Sequence, residues 1–384
     1  MKKMLSFANF FKKYFSSVKY SDDDDNPIYE HECTSWMVFN DLTGNNTNIL
    51  HKNRDSKARN VAVFLSPENS SRKWISLGSD TKANMAMNSS GLAGIMNSGE
   101  ICIDYPTDDT KKSTPQIMEV IIESCDTAAQ AVEKLKEIVF SGDYWHHNKK
   151  GSIFFFMDTN EGYICELNTK VINVQPYTSG YAVRANIWQN PGMQAISRND
   201  IKNYLNSSAR AYIAFSGLNE IMDKCGKISV ESMLELSRHC TMPEESPEKR
   251  SLCYKRTNST ASFEIDRQYP GVLSTGYFTV GHPRHTICIP VPICAKKILP
   301  GMGDFSWSAM SFERFDVLGH EASVPEEWLE FEKESMQKYN MAKDEARIML
   351  NEGEKAEAIK LINDVAYSIW TGASTLLEKR AANN

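Results

Sequence analysis

Residues 31–36 read His-Glu-Cys-Thr-Ser-Trp, and residues 51–55 read His-Lys-Asn-Arg-Asp. Cys33 stands at the start of a first predicted strand, just after a solvated linker, a place well suited to become a new N-terminus. One residue would then carry both a thiol and an α-amine. A free α-amine has a pKa of about 7.7–8.0 and serves as a base near neutral pH, so it can activate its own side chain without a separate histidine. The plain alternative is a small buried apolar cysteine. The second segment bears on the choice. A hairpin returning beside the first strand would let Asp55 hydrogen-bond the new ammonium and orient it. Lys52 would sit near the thiolate or the substrate, where positive charge raises the reactive fraction of a thiol. A polar hairpin turn with surface charges is the other reading of the same residues.

Strands and helices must position these groups. From Cys33 to Cys294 short apolar runs, such as Ser35–Phe39, Asn48–Leu50, Val61–Leu65, Ile153–Met157, Tyr163–Leu167 and Thr286–Val291, are bounded by Gly, Asn, Asp and Pro. Helical spacing covers Thr114–Phe140, Ile201–Met222 and Val230–His239. This alternation predicts an α+β sandwich with helical outer layers. The tail from Ser323 predicts a helical hairpin. Pro325 with Glu326 and Glu327 starts one helix, Asn351-Glu352-Gly353 breaks it, and Ile359, Ile362, Val365 and Ile369 mark a second. The expected division is 1–32 as a pro-segment, 33–322 as the main domain and 323–384 as the hairpin.

The first 32 residues differ from the rest. Phe7, Phe10, Phe11, Tyr14, Phe15 and Val18 recur at helical spacing, with Lys12, Lys13 and Lys19 between them. They predict a basic amphipathic helix, which could lie on a membrane surface, a partner or the main domain. Asp22 to Asp25 form a charged linker, and folded structure is expected from near Ile28.

The 384 residues carry a net charge of -6, which excludes the basic field that nonspecific nucleic-acid binding needs. No apolar run is long enough to predict a transmembrane helix. Nine scattered cysteines without C-x-x-C spacing predict neither a zinc site nor a disulfide framework, and a cytoplasmic, reducing location. His146-His147 reads as a loop without a metal motif around it. No cofactor is expected.

Cys33-Thr34-Ser35-Trp36 with Lys52-Asn53-Arg54-Asp55 resembles the acyl-CoA:6-aminopenicillanic acid acyltransferase family of N-terminal-nucleophile (Ntn) hydrolases. The chain is more distantly similar to choloylglycine and penicillin V hydrolases. The resemblance covers roughly Cys33 to Val291. It implies an αββα four-layer fold, removal of the residues before Cys33, often autocatalytic, and hydrolysis or transfer of linear amides of small N-acyl compounds. It also implies two oxyanion asparagines. The stretch Met87 to Asn97 is similar to the family's N-x-x-G-L segment and puts Asn97 there, although its spacing differs from that of the bile-salt enzymes. Tyr181 to Trp188 looks like the strand ending in the second, Asn186. Arg238-His239, Ser251-Leu252-Cys253 and Asn258-Ser259-Thr260 resemble later family segments before Gly281-His282-Pro283, with His239 read as structural. Two departures stand out. The bile-salt enzymes carry an arginine where Lys52 stands, and their late active-site arginine has no clear match here, Arg256 being only a weak candidate. The competing readings are a cysteine dipeptidase that also starts Cys-Thr, and an unprocessed binding protein on the same fold. The apolar tail helices could also pair subunits into a homo-oligomer.

Overall fold

The central strands are buried on both faces, even where, as in residues 261–266, apolar Ala261, Phe263 and Ile265 alternate with polar Ser262, Glu264 and Asp266. The structure is a computed structural model, and it describes residues 33–79, 84–102, 110–145, 150–198, 201–240 and 251–381. The expected N-terminal helix and acidic linker, and the His146-His147 loop, lie outside the described residues. The strands are β1 (Cys33–Val38), β2 (Thr47–Asp55), β3 (Ala62–Leu65), β4 (Trp74–Gly78), β5 (Met85–Asn88), β6 (Ala93–Ile101), β7 (Lys150–Met157), β8 (Gly162–Leu167), β9 (Ile172–Tyr177), β10 (Tyr181–Arg184), β11 (Thr257–Asp266), β12 (Thr275–Val280) and β13 (Cys288–Pro292). They form two antiparallel sheets. One runs β10-β1-β2-β11-β12-β13, and the other runs β3 to β9 in sequence order. Every residue of β1 and β11 is buried.

The sheets pack face to face, with β1 and β2 on β6 and β12 on β4. Helices cover both outer faces. On the seven-stranded sheet lie α1 (Thr114–Ser124) and α2 (Ala128–Phe140). On the six-stranded sheet lie α3 (Ile201–Cys225) and α4 (Val230–Ser237), over β1, β2, β10 and β11. Beside them α5 (Ser306–Leu318), α6 (Glu326–Asn351) and α7 (Lys355–Ala381) cover β12 and β13. The order is therefore helix, sheet, sheet, helix: the expected αββα four-layer sandwich, with a C-terminal helical hairpin.

The helical stretch expected over Thr114–Phe140 is two helices rather than one. Cys125 is extended, Asp126 gives its N–H to Gln130 Oε1, and the Thr127 hydroxyl accepts the Gln130 N–H. An N-cap hydrogen bond of this kind starts a new helix. The tail helices turn at Gly353, whose φ of +88° is the left-handed conformation that glycine adopts without strain. Buried ion pairs attach α6 to its neighbours: Glu332 with Arg238, and Lys343 with Glu264. Arg347 also pairs with Asp266. The helix α5 is absent from the sequence reading because most of its buried face is polar: Ser308, Ser311 and Arg314 are buried beside Trp307 and Phe312.

Candidate active site

Cys33 opens β1 between β10 on one side and β2 on the other. The register pairs Cys33 with Arg54, Thr34 with Asn53 and Ser35 with Lys52. Residues directly opposite in an antiparallel pair share a face. Ser35 reaches Asn97 on β6 of the other sheet, so Cys33, Ser35, Lys52 and Arg54 face the seven-stranded sheet. Thr34, Asn53 and Asp55 face the helices α3 and α4. Hairpin geometry therefore delivers Lys52 to the thiol side of Cys33.

Lys52 is fully buried, and its ammonium donates to the Met96 carbonyl. Burial lowers its pKa below the ordinary lysine value. The charge of the Cys33 sulfur pulls it back up, Arg54 pushes it down again, and a hydrogen bond with the Cys33 sulfur and the Asp55 charge raise it. Lys52 thus lies on the same sheet face as the Cys33 thiol, diagonally across the β1–β2 pair, and its charge and that of the thiol act on each other. Other cysteines are in different surroundings. Burial pushes the thiols of Cys165, Cys253 and Cys288 far up and that of Cys102 to about 12, which suits inert core residues.

Asn186 meets the other side of Cys33. Ser35 pairs with Arg184, and continuing that register brings Asn186 opposite Cys33. The Cys33 main-chain N–H donates to Asn186 Oδ1 at 2.8 Å. Asn186 Nδ2 donates to the Ser98 carbonyl at 2.8 Å. The acceptor end of this amide, not its donor end, is therefore turned to residue 33. Asn97 accepts from the Ser35 hydroxyl at 2.7 Å, and its Nδ2 donates to the carbonyls of Arg184 and Ala185. Carbonyls can only accept, which fixes both amide orientations. Asn97 and Asn186 both reach the neighbourhood of Cys33, and their donors are engaged with main chain. Asp55 accepts the Thr257 hydroxyl at 2.6 Å, and it follows directly on Arg54, the cross-strand partner of Cys33.

One further residue belongs to the cluster. Arg210 on α3 is 1% exposed. Its guanidinium donates to the Cys33 carbonyl at 2.7 Å, the Thr34 hydroxyl at 2.9 Å and Asn186 Oδ1 at 2.9 Å. It also donates to Asn206 Oδ1 and the Ser207 hydroxyl. None of these partners is a carboxylate. A signal for it exists in the sequence: Asn203, Asn206, Ser207 and Arg210 recur at helical spacing and are all buried. A search for apolar periodicity passes over such a polar stripe.

Polar groups also tie the strands to the helices behind. Asn53 Nδ2 donates to the carbonyls of Ser237 and Leu252. His51 lies between Ser262 and Asn53 Oδ1 and stacks on Trp36. Burial lowers its pKa to about 4, against a smaller raising effect of Asn53. Arg238 is buried in its pair with Glu332, whereas His239 is exposed. Among the described residues no group of three His, Cys, Asp or Glu could hold a metal ion.

The whole arrangement is a buried thiol, 4% exposed, with a lysine on its side-chain face and its main-chain nitrogen and carbonyl held by Asn186 and Arg210. No family model matches the chain, and no curated protein matches it. Among solved structures the chain is similar to a single-residue variant of conjugated bile acid hydrolase from Clostridium perfringens. The two share 11% identity at a TM-score of 0.45, over 68% of this chain and 92% of the other. It is also similar to penicillin V acylase from Agrobacterium tumefaciens, with 16% identity and a TM-score of 0.44 over 68% and 86%.

Proposed function

We propose that the chain is a cysteine amide hydrolase or acyltransferase of the N-terminal-nucleophile kind, acting on linear amides of small N-acyl compounds after cleavage before Cys33. The observation that carries this reading is the double hold on one residue. The Cys33 nitrogen is anchored by Asn186 while its sulfur shares a sheet face with Lys52.

In the first stage the Cys33 sulfur attacks the Glu32 carbonyl. The acyl group moves from nitrogen to sulfur, and water hydrolyses the thioester, leaving a free α-amine on Cys33. In the second stage the sulfur attacks the substrate amide carbon. The α-ammonium gives its proton to the leaving nitrogen as the C–N bond breaks. Water, or an acceptor amine, then takes the acyl group from sulfur and returns a proton to the α-amine. Asn186 Oδ1 and Asp55 hold the α-amine, and Arg210 holds the Cys33 carbonyl, so the residue keeps its place once its peptide bond is gone. Lys52 supplies positive charge for the thiolate and the developing oxyanion. Asn97 and Asn186 Nδ2 become oxyanion donors by releasing their main-chain partners. A donor already free and aimed at the oxyanion lowers such a barrier by about 3–4 kcal/mol, and here the main-chain bonds that must be given up offset part of that gain.

Intact mass and N-terminal sequencing of the purified protein test the reading, followed by a screen of N-acyl amides against dipeptides. A chain starting at Cys33 that cleaves N-acyl amides is expected, and Cys33→Ala removes both maturation and turnover. A Cys33→Ala protein that still hydrolyses amides ends the proposal. Turnover of dipeptides alone would move it to the dipeptidase class.

A further inference from the structure

A groove of about 1330 Å³ runs between α4 and α6 on the outer face of the six-stranded sheet. Leu234, Val324, Leu329, Met336 and Met341 give it an apolar lining, and Leu329 and Met341 are exposed, the latter at 65%. Glu231, Glu235, Glu321 and Asp344 put four acidic groups around it against two basic ones, Arg284 and Lys333, so it keeps an acidic excess. Glu332 and Arg238, also in its lining, neutralise each other. From Leu329 to Asp344 its α6 wall is about 22 Å long at 1.5 Å per residue.

We propose that this groove is the docking site of the chain's own residues 7–18. Three observations select this occupant. The first is shape. A helix over 7–18 is about 17 Å long and carries Phe7, Phe10, Phe11, Tyr14, Phe15 and Val18 on one face, the pattern of an amphipathic helix laid in an apolar groove. Flexible methionine side chains adapt well to such aromatic knobs.

Charge is the second. Residues 1–20 hold Lys2, Lys3, Lys12, Lys13 and Lys19 and no acidic residue, which complements the acidic groove. The third is reach. β1 begins at the edge of the sheet where β2 ends, β11 begins, β12 ends and β13 begins. Arg238, at one end of the groove, bonds the carbonyls of Pro283 and Thr286 in the β12–β13 connection. The groove therefore opens at the Cys33 edge of the sheet, about 14 Å away across three strand spacings. Residues 21–32 span up to ~40 Å when extended, which is ample.

The docked segment covers α4, whose last carbonyl accepts Asn53, one residue from Lys52. Docking stands apart from the chemistry of Cys33, and only release rests on it. Cleavage before Cys33 ends the tether, and the effective local concentration that held the segment, of millimolar order for a short flexible linker, falls away.

The test is a photocrosslink in the full-length, uncleavable Cys33→Ala protein, with p-benzoylphenylalanine in place of Phe11. The expected result is adducts within the chain, on Met336, Met341 or Leu329 by mass spectrometry. Met341→Glu, an exposed change that leaves the fold intact, and Glu235→Lys should each cut the yield about fivefold or more. Adducts on the exposed Tyr204, Tyr212 and Phe215 of α3, adducts only between chains, no adducts, or a yield indifferent to both substitutions would each overturn the proposal. Because the protein lacks the Cys33 thiol, the result is independent of whether the chain is an enzyme.

Discussion

The two helical layers bury opposite things. On the seven-stranded sheet, α1 and α2 bring Ile117, Met118, Ile121, Val132 and Leu135 onto Phe154, Phe156, Cys165 and Leu167, an apolar cluster. On the Cys33 end of the six-stranded sheet, α3 turns Asn203, Asn206, Ser207 and Arg210 inward and leaves Tyr204, Tyr212 and Phe215 exposed. Beneath it lie buried His51, Lys52, Asn53 and Asp55. Burying apolar area stabilises a fold, whereas burying charge and amide groups costs free energy unless every group is bonded. The first layer is built for stability. The second satisfies these side chains one by one, an arrangement that fixes them in place, although Trp36 Nε1 and Thr47 Oγ1 on neighbouring strand positions stay without a partner among the described residues.

The largest effect should fall in the apolar layer. Leu135 is fully buried in α2. Leu135→Ala should lower stability by about 2–5 kcal/mol through lost burial and a cavity. Denaturant unfolding measures it, and activity per folded molecule should be unchanged. A comparable loss of activity at full folding would break the division between the layers.

Lys52→Met should do the reverse. It removes a buried cation beside the Cys33 thiol, and loss of one such stabilising group lowers turnover by about 10²–10³-fold. Burial holds the Lys52 ammonium below its ordinary pKa, so the folded state is opposed by this charge at neutral pH. The thermal midpoint of Lys52→Met should then match or exceed that of the parent. A lower midpoint with activity retained would make Lys52 a structural residue.

Acid should open the polar layer first. His51 titrates near 4 in the folded protein against about 6.5 when unfolded. The unfolded chain therefore binds more protons between those values, and stability is lost as pH falls through that window. For His51 alone the loss is about 3 kcal/mol. Burial lowers His282 and His285 in the same direction, the latter to about 4. Hydrogen exchange at falling pH should show β2 and β12 losing protection before β7. Uniform loss across both sheets would remove this distinction.

What was legible in the sequence follows the same contrast. The apolar stripes of α1, α2, α6 and α7 declare themselves at spacings of three and four, and the break at Gly353 is visible as a helix stop. Cys33 stands out by its place at the start of a strand after a charged linker, and Lys52 and Asp55 by a hairpin expected to return beside it together with the resemblance of both segments to a known family. Arg210 does not stand out, because its stripe is polar and polar stripes ordinarily face water. The engagement of Asn97 and Asn186 with main chain is also invisible in sequence. It depends on where Ser98, Arg184 and Ala185 place their carbonyls, and only the packing of β6 against β1 and β10 decides that.

The smallest effect tests how closely the carboxylate of Asp55 is held. The Thr257 hydroxyl donates to Asp55 Oδ1 and accepts the Tyr254 N–H at 2.8 Å. Thr257→Val keeps the shape and removes both bonds. A single hydrogen bond contributes about 1 kcal/mol net, so, on the proposed role of Asp55 at the α-amine, turnover should fall by about tenfold or less. Thr257→Ser keeps the hydroxyl and should restore turnover, while both variants leave the apolar layer's exchange protection as it was. If Val and Ser variants lose activity equally, a shifted strand rather than the lost hydroxyl is responsible, and Asp55 needs no help from Thr257. If Val alone loses it, the polar layer is cooperative down to its outermost bond, unlike the apolar layer, where a lost methyl group is felt as stability and nothing else.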